Sequence, residues 1–400
     1  MPVASKALLN AKLSGADILK PNKPVIPESC GAVVGVILLF CLVLFIPSLF
    51  YKYIASTVGG GVRVGPLDEI SPIHKGIFPH SKLSEYLSGV LSLQSMLILG
   101  FSDDLFDLRW RHKFFLPAIA SIPMLLVYYV DFGVTQIIVP PFLHKLTGGA
   151  TCIDLGILYY GYMAACSIFF TNCINIYAGI NGIEVGQSVV LGAAVLLNDL
   201  LYIFSLDRSN PAVEAHSFSA YILLPFLGTS LALLKYNWYP AQVFVGDTYC
   251  YLAGMVFAVI GILGHFTKTL LTLSLPQIFN FAYSLPQLFH IVPCPRHRMP
   301  AFNAETGRLE VSRADVTNCR SGIKMVLRLL AKIGLLKIYE SKDKMEISNM
   351  TIINLVLVHT GPIKENHLTM VLMTIQAVWA LFALTARHLL ARAVFGDDNF

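Results

Sequence analysis

Apolar residues fall in nine runs, at about 31–50, 86–101, 114–130, 155–175, 183–204, 218–234, 243–264, 269–291 and 368–390. Set against the roughly 20 residues a helix needs to cross a bilayer, each is long enough to span or nearly so. The two shortest, 86–101 and 114–130, must recruit flanking residues or pack against neighbours. Gly192, Pro225, Gly254, Gly261 and Pro276 lie inside runs, but packed membrane helices carry such residues. The pattern predicts an all-α polytopic membrane protein. It comprises a water-facing segment over 1–30, eight transmembrane helices over 31–291, a loop domain over 292–367, and a ninth helix with its tail over 368–400.

Nine spans alternate sides. The side holding 1–30, 102–113, 176–182, 235–242 and 292–367 carries 20 Lys and Arg against 8 on the other, so it is read as cytoplasmic. The long 292–367 segment supplies the whole excess. It opens on Pro293-Cys294-Pro295, a rigid extended turn, and continues in a basic stretch with helical apolar spacing (Ile323, Val326, Leu327, Leu330). It then reaches an apolar stretch, Ile352 to Val358, too short to span and expected as an interfacial or packed helix. Asn349-Met350-Thr351 matches a glycosylation acceptor, but on the cytoplasmic side it is expected to stay unmodified.

Composition narrows the class. With 55% hydrophobic and 13% charged residues and a mean hydropathy of +0.65, the chain is no ordinary soluble domain. The formal charge of +5 fits contact with anionic headgroups or phosphates, while no aromatic-interleaved basic strip suggests nucleic acid. Eight cysteines without a CxxC pair indicate neither a disulfide framework nor a zinc site. Residues 1–27 contain no apolar core of a cleavable signal.

The stretch Gly100 to Lys113 carries the densest chemistry. Continued as a helix, it stacks Asp103, Asp104 and Asp107 on one side. Carboxylates so close require a divalent cation, an ammonium group or a proton among them, and oxygen-only ligation suits Mg²⁺ or Mn²⁺. Lys113 follows, with Arg109, Arg111 and His112, and such cations suit phosphate. The plainer reading is an interfacial turn anchored by Trp110. Four more polar clusters fall on the same membrane surface: Glu28-Ser29, the asparagines 172, 175 and 181, Phe244 to Thr248, and Arg296-His297-Arg298. Read alone, the asparagines and Ser29 are better explained as helix caps. A near-membrane carboxylate such as Asp247 is costly unless partnered. Together the clusters offer carboxylates and amides for a cation, arginine forks for a diphosphate, and asparagines with an aromatic for a base or sugar.

At Asp103-Asp104-Leu-Phe-Asp107 through Lys113, and at Phe244-Val-Gly-Asp247-Thr, the sequence resembles the polyprenyl-phosphate sugar-1-phosphate transferase superfamily. Pro293-Cys-Pro-Arg296-His297-Arg298 is similar to its eukaryotic branch, which uses UDP-N-acetylglucosamine and dolichyl phosphate. The resemblance implies transfer of N-acetylglucosamine-1-phosphate to the lipid, at the cytosolic face of the endoplasmic reticulum membrane. It implies that Asn175 and Asp247 hold Mg²⁺, that Arg296 and Ser29 bind phosphate oxygens, and that Asn181 and Phe244 hold the uracil. Glu28, His297 and Arg298 would recognise the sugar, with Lys113 positioning phosphate and Trp110 lining the site. Asp103 and Asp104 would orient, and in one version deprotonate, the acceptor phosphate. Membrane lipid is an implied partner, and a homodimer is compatible with the resemblance. The family usually has ten spans, and this chain begins in what resembles the loop after the first. Tyr177 stands where relatives usually carry leucine. The rival readings are another UDP-sugar or polyprenyl phosphate, or a nucleotide-sugar or lipid transporter. A transporter would place its site near mid-membrane between inverted repeats, and none is apparent.

Overall fold

The computed structural model describes residues 1–51, 54, 78–139, 144, 148–207, 209–295, 298–341 and 343–395, and only the backbone of Trp110, Arg111 and Phe395. Its helices are α1 (Pro2–Asn10), α2 (Cys30–Leu49), α3 (His80–Phe106), α4 (Trp110–Lys113), α5 (Leu116–Ala120), α6 (Ile122–Asp131), α7 (Ile157–Ile176) and α8 (Ile183–Ser205). They continue as α9 (Pro211–Asn237), α10 (Gly246–Leu263), α11 (Thr267–Leu273), α12 (Leu275–Leu288), α13 (Ser321–Lys332), α14 (Ile352–Thr360) and α15 (Glu365–Phe395).

Every apolar run is helical, and α2, α7, α8, α9, α10 and α15 are each long and apolar enough to cross a membrane. Among the described residues these are six of the nine expected spans, and three runs differ from expectation: the second lies in α3, which is long but not among the six. The third divides into α5 and α6, and the eighth into α11 and α12; α5, α6 and α12 each carry a proline in the first turn. Proline lacks the N–H that would continue the preceding ladder but is preorganised to begin a helix, so Pro276 restarts its run.

The bundle is organised around α10, in which every residue from Thr248 to Leu263 is buried. A helix apolar all round belongs in the centre, and α2, α3, α7, α8 and α9 surround it. Small residues allow the close approach. A Cβ on Gly31 would lie 2.5 Å from the Tyr249 nitrogen, one on Gly100 2.6 Å from Thr248 Cα, and one on Gly254 2.5 Å from the Phe170 carbonyl oxygen. The first two contacts draw the first turns of α10 against the start of α2 and the end of α3, and the third draws its middle against α7.

The loop domain is not purely helical. The hairpin of β3 (Ala301–Asn303) and β4 (Arg308–Glu310) precedes a three-stranded antiparallel sheet in the order β5 (Arg313–Asp315), β7 (Met345–Ser348), β6 (Ile338–Glu340). Strands of three or four residues are too short to display the alternation that reveals a strand in sequence. The expected helix at 352–358 is α14, packed rather than interfacial, with Ile352, Ile353, Val356 and Leu357 buried. Asn349 is fully buried, donating to Ser312 Oγ at 2.8 Å and accepting from Gln287 Nε2 at 2.9 Å. Segment 1–30 is also structured. The antiparallel strands β1 (Ser14–Ala16) and β2 (Val25–Pro27) are joined by a turn in which Asp17 and Leu19 are buried.

Candidate active site

All the polar clusters that the structure describes meet at one end of the bundle, where α2, α8, α10 and α15 begin and α3, α7, α9 and α12 end. Gly246 opens α10 with φ of +73°, and a Cβ there would strike the Asp104 carboxylate and lie 2.9 Å from Ser29 Cα. Asp104 therefore reaches the helix terminus itself. Its Oδ1 accepts from the Asp247 N–H at 2.7 Å and its Oδ2 from the Thr248 N–H at 3.4 Å and the Thr248 hydroxyl. A carboxylate from α3 thus satisfies the first amides of α10 and meets the positive end of its dipole.

Asp103 has different partners. It accepts from the Tyr251 hydroxyl at 3.0 Å and the Leu108 N–H at 3.0 Å, and pairs with Lys113 Nζ at 2.9 Å. The same ammonium lies 2.8 Å from Asp247 Oδ2. Among the described residues, the cation between these carboxylates is accordingly a lysine. Burial acts to lower the pKa of Lys113, but Asp247 and Asp103 outweigh it and hold the group above the ordinary 10.5. Asp107 does not join the stack. The helix ends at Phe106, and Asp107, with φ of +47°, turns out to solvent.

Beside this network lies a cavity of about 310 Å³ whose lining includes Glu28, Asn175, Asn181, Phe244 and Asp247. Five residues drawn from three separate clusters therefore share one space. Glu28 stands within the field of Asp104 and Asp247; burial first, and those charges second, push its carboxyl above the usual 4.5. Asn181 is extensively hydrogen-bonded, its Oδ1 accepting from Ala241 N–H at 3.1 Å and its Nδ2 donating to Asp17 at 3.2 Å. Asn172 stays outside the cavity, its amide donating to the Phe114 and Ile168 carbonyls at 3.4 and 2.8 Å. Tyr177 also stays outside, buried in the cluster that holds Ile180, Ile183 and Leu372.

Arg298 does not line the cavity, though its neighbour Met299 does, lying over Gly179. The Arg298 carbonyl accepts from Asn354 Nδ2 at 3.0 Å, while its buried Nη1 has no hydrogen-bond partner among the described residues. Arg296, His297 and the Trp110 side chain lie outside the described residues.

Among the described residues, no three His, Cys, Asp or Glu side chains stand together as metal ligands. The oxygens lining the cavity include those of Asp247, whose side chain is 32% exposed, and of Asn175, which hydrogen-bonds to it. Mg²⁺ commonly takes one or two carboxylates and completes its shell from phosphate and water, so this pair fits an ion brought in with a diphosphate.

Several residues escaped the sequence reading. Lys20 pairs with Asp17 at 3.1 Å and with Glu365, whose Oε1 accepts from the Asn181 N–H at 2.7 Å. Glu184 lines the cavity and accepts from the Gly179 N–H at 3.0 Å. Asp17 and Lys20 lie in a polar stretch like any solvated segment, and Glu365 looks like the ordinary acidic first turn of a helix. Glu184 alone had a signal, as a carboxylate entering an apolar run.

The sequence profile of glycosyl transferase family 4 matches residues 86–265. The chain is 51% identical over its whole length to the UDP-N-acetylglucosamine–dolichyl-phosphate N-acetylglucosaminephosphotransferase of Saccharomyces cerevisiae, covering 90% of that protein. It is 46% identical, with the same coverage, to the enzyme of that name from Schizosaccharomyces pombe. A more distant similarity, 29% over 41% of this chain and 49% of the relative, links it to the phospho-N-acetylmuramoyl-pentapeptide-transferase of Borrelia duttonii.

Proposed function

The chain belongs to the UDP-N-acetylglucosamine–dolichyl-phosphate N-acetylglucosaminephosphotransferases, within glycosyl transferase family 4, and from that premise we propose how its site works. It transfers N-acetylglucosamine-1-phosphate from UDP-N-acetylglucosamine to dolichyl phosphate. The products are N-acetylglucosaminyl-diphosphodolichol and UMP, and the reaction begins lipid-linked oligosaccharide synthesis for N-glycosylation. The observation that carries this reading is the cavity lined by Glu28, Asn175, Asn181 and Phe244, with Asp247 at its edge held by Lys113.

An unesterified oxygen of dolichyl phosphate attacks the β-phosphorus of the nucleotide sugar in line. The bond from that phosphorus to the bridging oxygen breaks, and UMP leaves with the electron pair. A phosphate monoester with its second pKa near 6 is largely dianionic at neutral pH, so no strong base is required. Asp103 holds the Lys113 ammonium and Asp104 holds the first turn of α10, which makes both positioning residues. Lys113 stabilises the phosphoryl oxygens as charge moves, a role its persistent positive charge supports. Asp247 and Asn175 would hold Mg²⁺, which would supply charge neutralisation at the diphosphate. Phe244 and Asn181 hold the base. Glu28 receives the sugar, and Arg298, next to the cavity-lining Met299, is assigned to it as well, its Nη1 having no hydrogen-bond partner among the described residues. The membrane is that of the endoplasmic reticulum, and the Lys and Arg excess supports a cytosolic site.

The test is transfer by purified protein. Labelled UDP-N-acetylglucosamine with dolichyl phosphate and Mg²⁺ should yield labelled diphosphodolichol product and UMP in equal amounts. Other UDP-sugars should yield none. Product formation by Asp247→Ala at the wild-type rate would overturn the assignment of the site.

A further inference from the structure

We propose that α13 in the loop domain is a membrane-surface helix, seated on anionic lipid headgroups at the end of the bundle where the cavity lies. Its inner face is accounted for: Leu327 is buried, and Ile323 and Leu330 pack with it in the cluster that contains Ala314, Ile347, Tyr283 and Val292. The adjoining face is apolar too. Met325 is 70% exposed, Val326 52%, Leu329 60% and Ile333 63%. At 100° per residue these four fall in one arc turned away from Leu327, so they form a continuous ridge that nothing in the chain covers among the described residues.

Two further observations name the occupant. Between Arg320 and Glu340 the chain carries five basic residues, Arg320, Lys324, Arg328, Lys332 and Lys337, and one acidic one. On the helical wheel Arg328 and Lys332 border the ridge. A helix with an apolar ridge edged by Lys and Arg is built to lie in the headgroup region of an anionic leaflet, with its apolar side chains reaching the acyl boundary. The domain is also joined directly to a helix of the bundle. The Tyr283 hydroxyl of α12 donates to the Leu335 carbonyl just beyond α13, and Phe289 and Ile291, where α12 leaves the bundle, are 60% and 57% exposed. Exposed apolar residues at the end of a bundle helix and an exposed apolar ridge on the domain tied to it fit one continuous lipid contact. The basic charge is thereby assigned to a lipid surface in addition to any phosphate substrate.

The experiment uses the full chain in nanodiscs, with Leu329→Trp as the probe and Asp343→Trp, on an exposed turn of the same domain, as the control. Quenching by phospholipids brominated on their acyl chains is measured over the background of the three native tryptophans. The expected result is that the tryptophan introduced by Leu329→Trp is quenched at least about twice as strongly as the one introduced by Asp343→Trp, and more so when phosphatidylserine is added to phosphatidylcholine. Arg328→Glu combined with Lys332→Glu should abolish that increase while leaving transfer in detergent unchanged. Equal quenching in the two variants would overturn the proposal, as would a ridge shielded only when another protein is present. Insensitivity to phosphatidylserine would overturn its electrostatic half. None of the quenching readings depends on the transfer reaction, so failure here and failure of the proposed function are separable.

Discussion

Replacing Gly100 by alanine tests whether the contact between α3 and α10 sets the reactive geometry. The new Cβ would lie 2.6 Å from Thr248 Cα, where ordinary contact begins at 3.4 Å, so the helices must part by about 0.8 Å. The obstacle is backbone on both sides, and no rotamer change relieves it. Asp104 lies one turn beyond Gly100 and Asp247 adjoins Thr248, so the separation falls on the 2.7 Å bond that docks the α10 terminus. Misplacement near 1 Å costs on the order of 100-fold in rate, and we expect kcat/KM to fall by roughly 30- to 100-fold, about 2 to 2.7 kcal/mol. Overpacking should also lower stability by about 1–3 kcal/mol. Gly228→Ala is the matched control, since a Cβ there meets nothing within 4 Å. It should leave turnover unchanged and gain up to about 1 kcal/mol from lower chain entropy in the unfolded state. Labelled-product formation and thermal unfolding, measured on both variants in the same detergent, give the answer. A folded Gly100→Ala protein retaining more than half the wild-type rate would refute the reasoning.

Three other outcomes follow from the same geometry. Lys113→Met leaves Asp103, whose side chain is 1% exposed, and Asp247 facing each other without a cation; we expect a loss of about 3 kcal/mol in thermal stability and turnover reduced at least about 100-fold. Adding Asp103→Asn should restore much of that stability without restoring turnover, and full additivity of the two changes would show that the pair does not interact. Glu28 has a raised folded-state pKa, so the folded protein keeps a proton that the unfolded chain has released. Stability therefore falls as pH rises from about 4.5 through the folded value, and Glu28→Gln should remove that slope and unfold at a higher temperature than wild type at pH 7; a wild type more stable than the variant at pH 7 would contradict the sign. Asn349, buried and hydrogen-bonded on both sides of its amide, should carry no glycan, and a mobility shift on deglycosylation lost in Asn349→Gln would show otherwise.

Hydrophobic run length alone determined the class of this protein and the positions of the six helices long and apolar enough to cross a membrane. A bilayer demands about 20 apolar residues whatever their neighbours, so that information is local. Parity carried it further: because spans alternate, Glu28, Asp103, Asn175 and Asp247 had to emerge on one surface before any contact was known. What run length could not reveal was what each polar group touches there. Asp103 and Asp104 are adjacent in sequence and similar in chemistry. Yet one grips Lys113 and Tyr251, while the other caps a helix from a distant part of the chain. That division depends on α3 stopping at Phe106 and on glycines that bring two backbones into contact. Asp17, Lys20 and Glu365 were invisible for the same reason, since a charge buried among distant partners looks in sequence like a charge left in water. Tertiary packing alone decided which carboxylates face the cavity and which merely hold its walls.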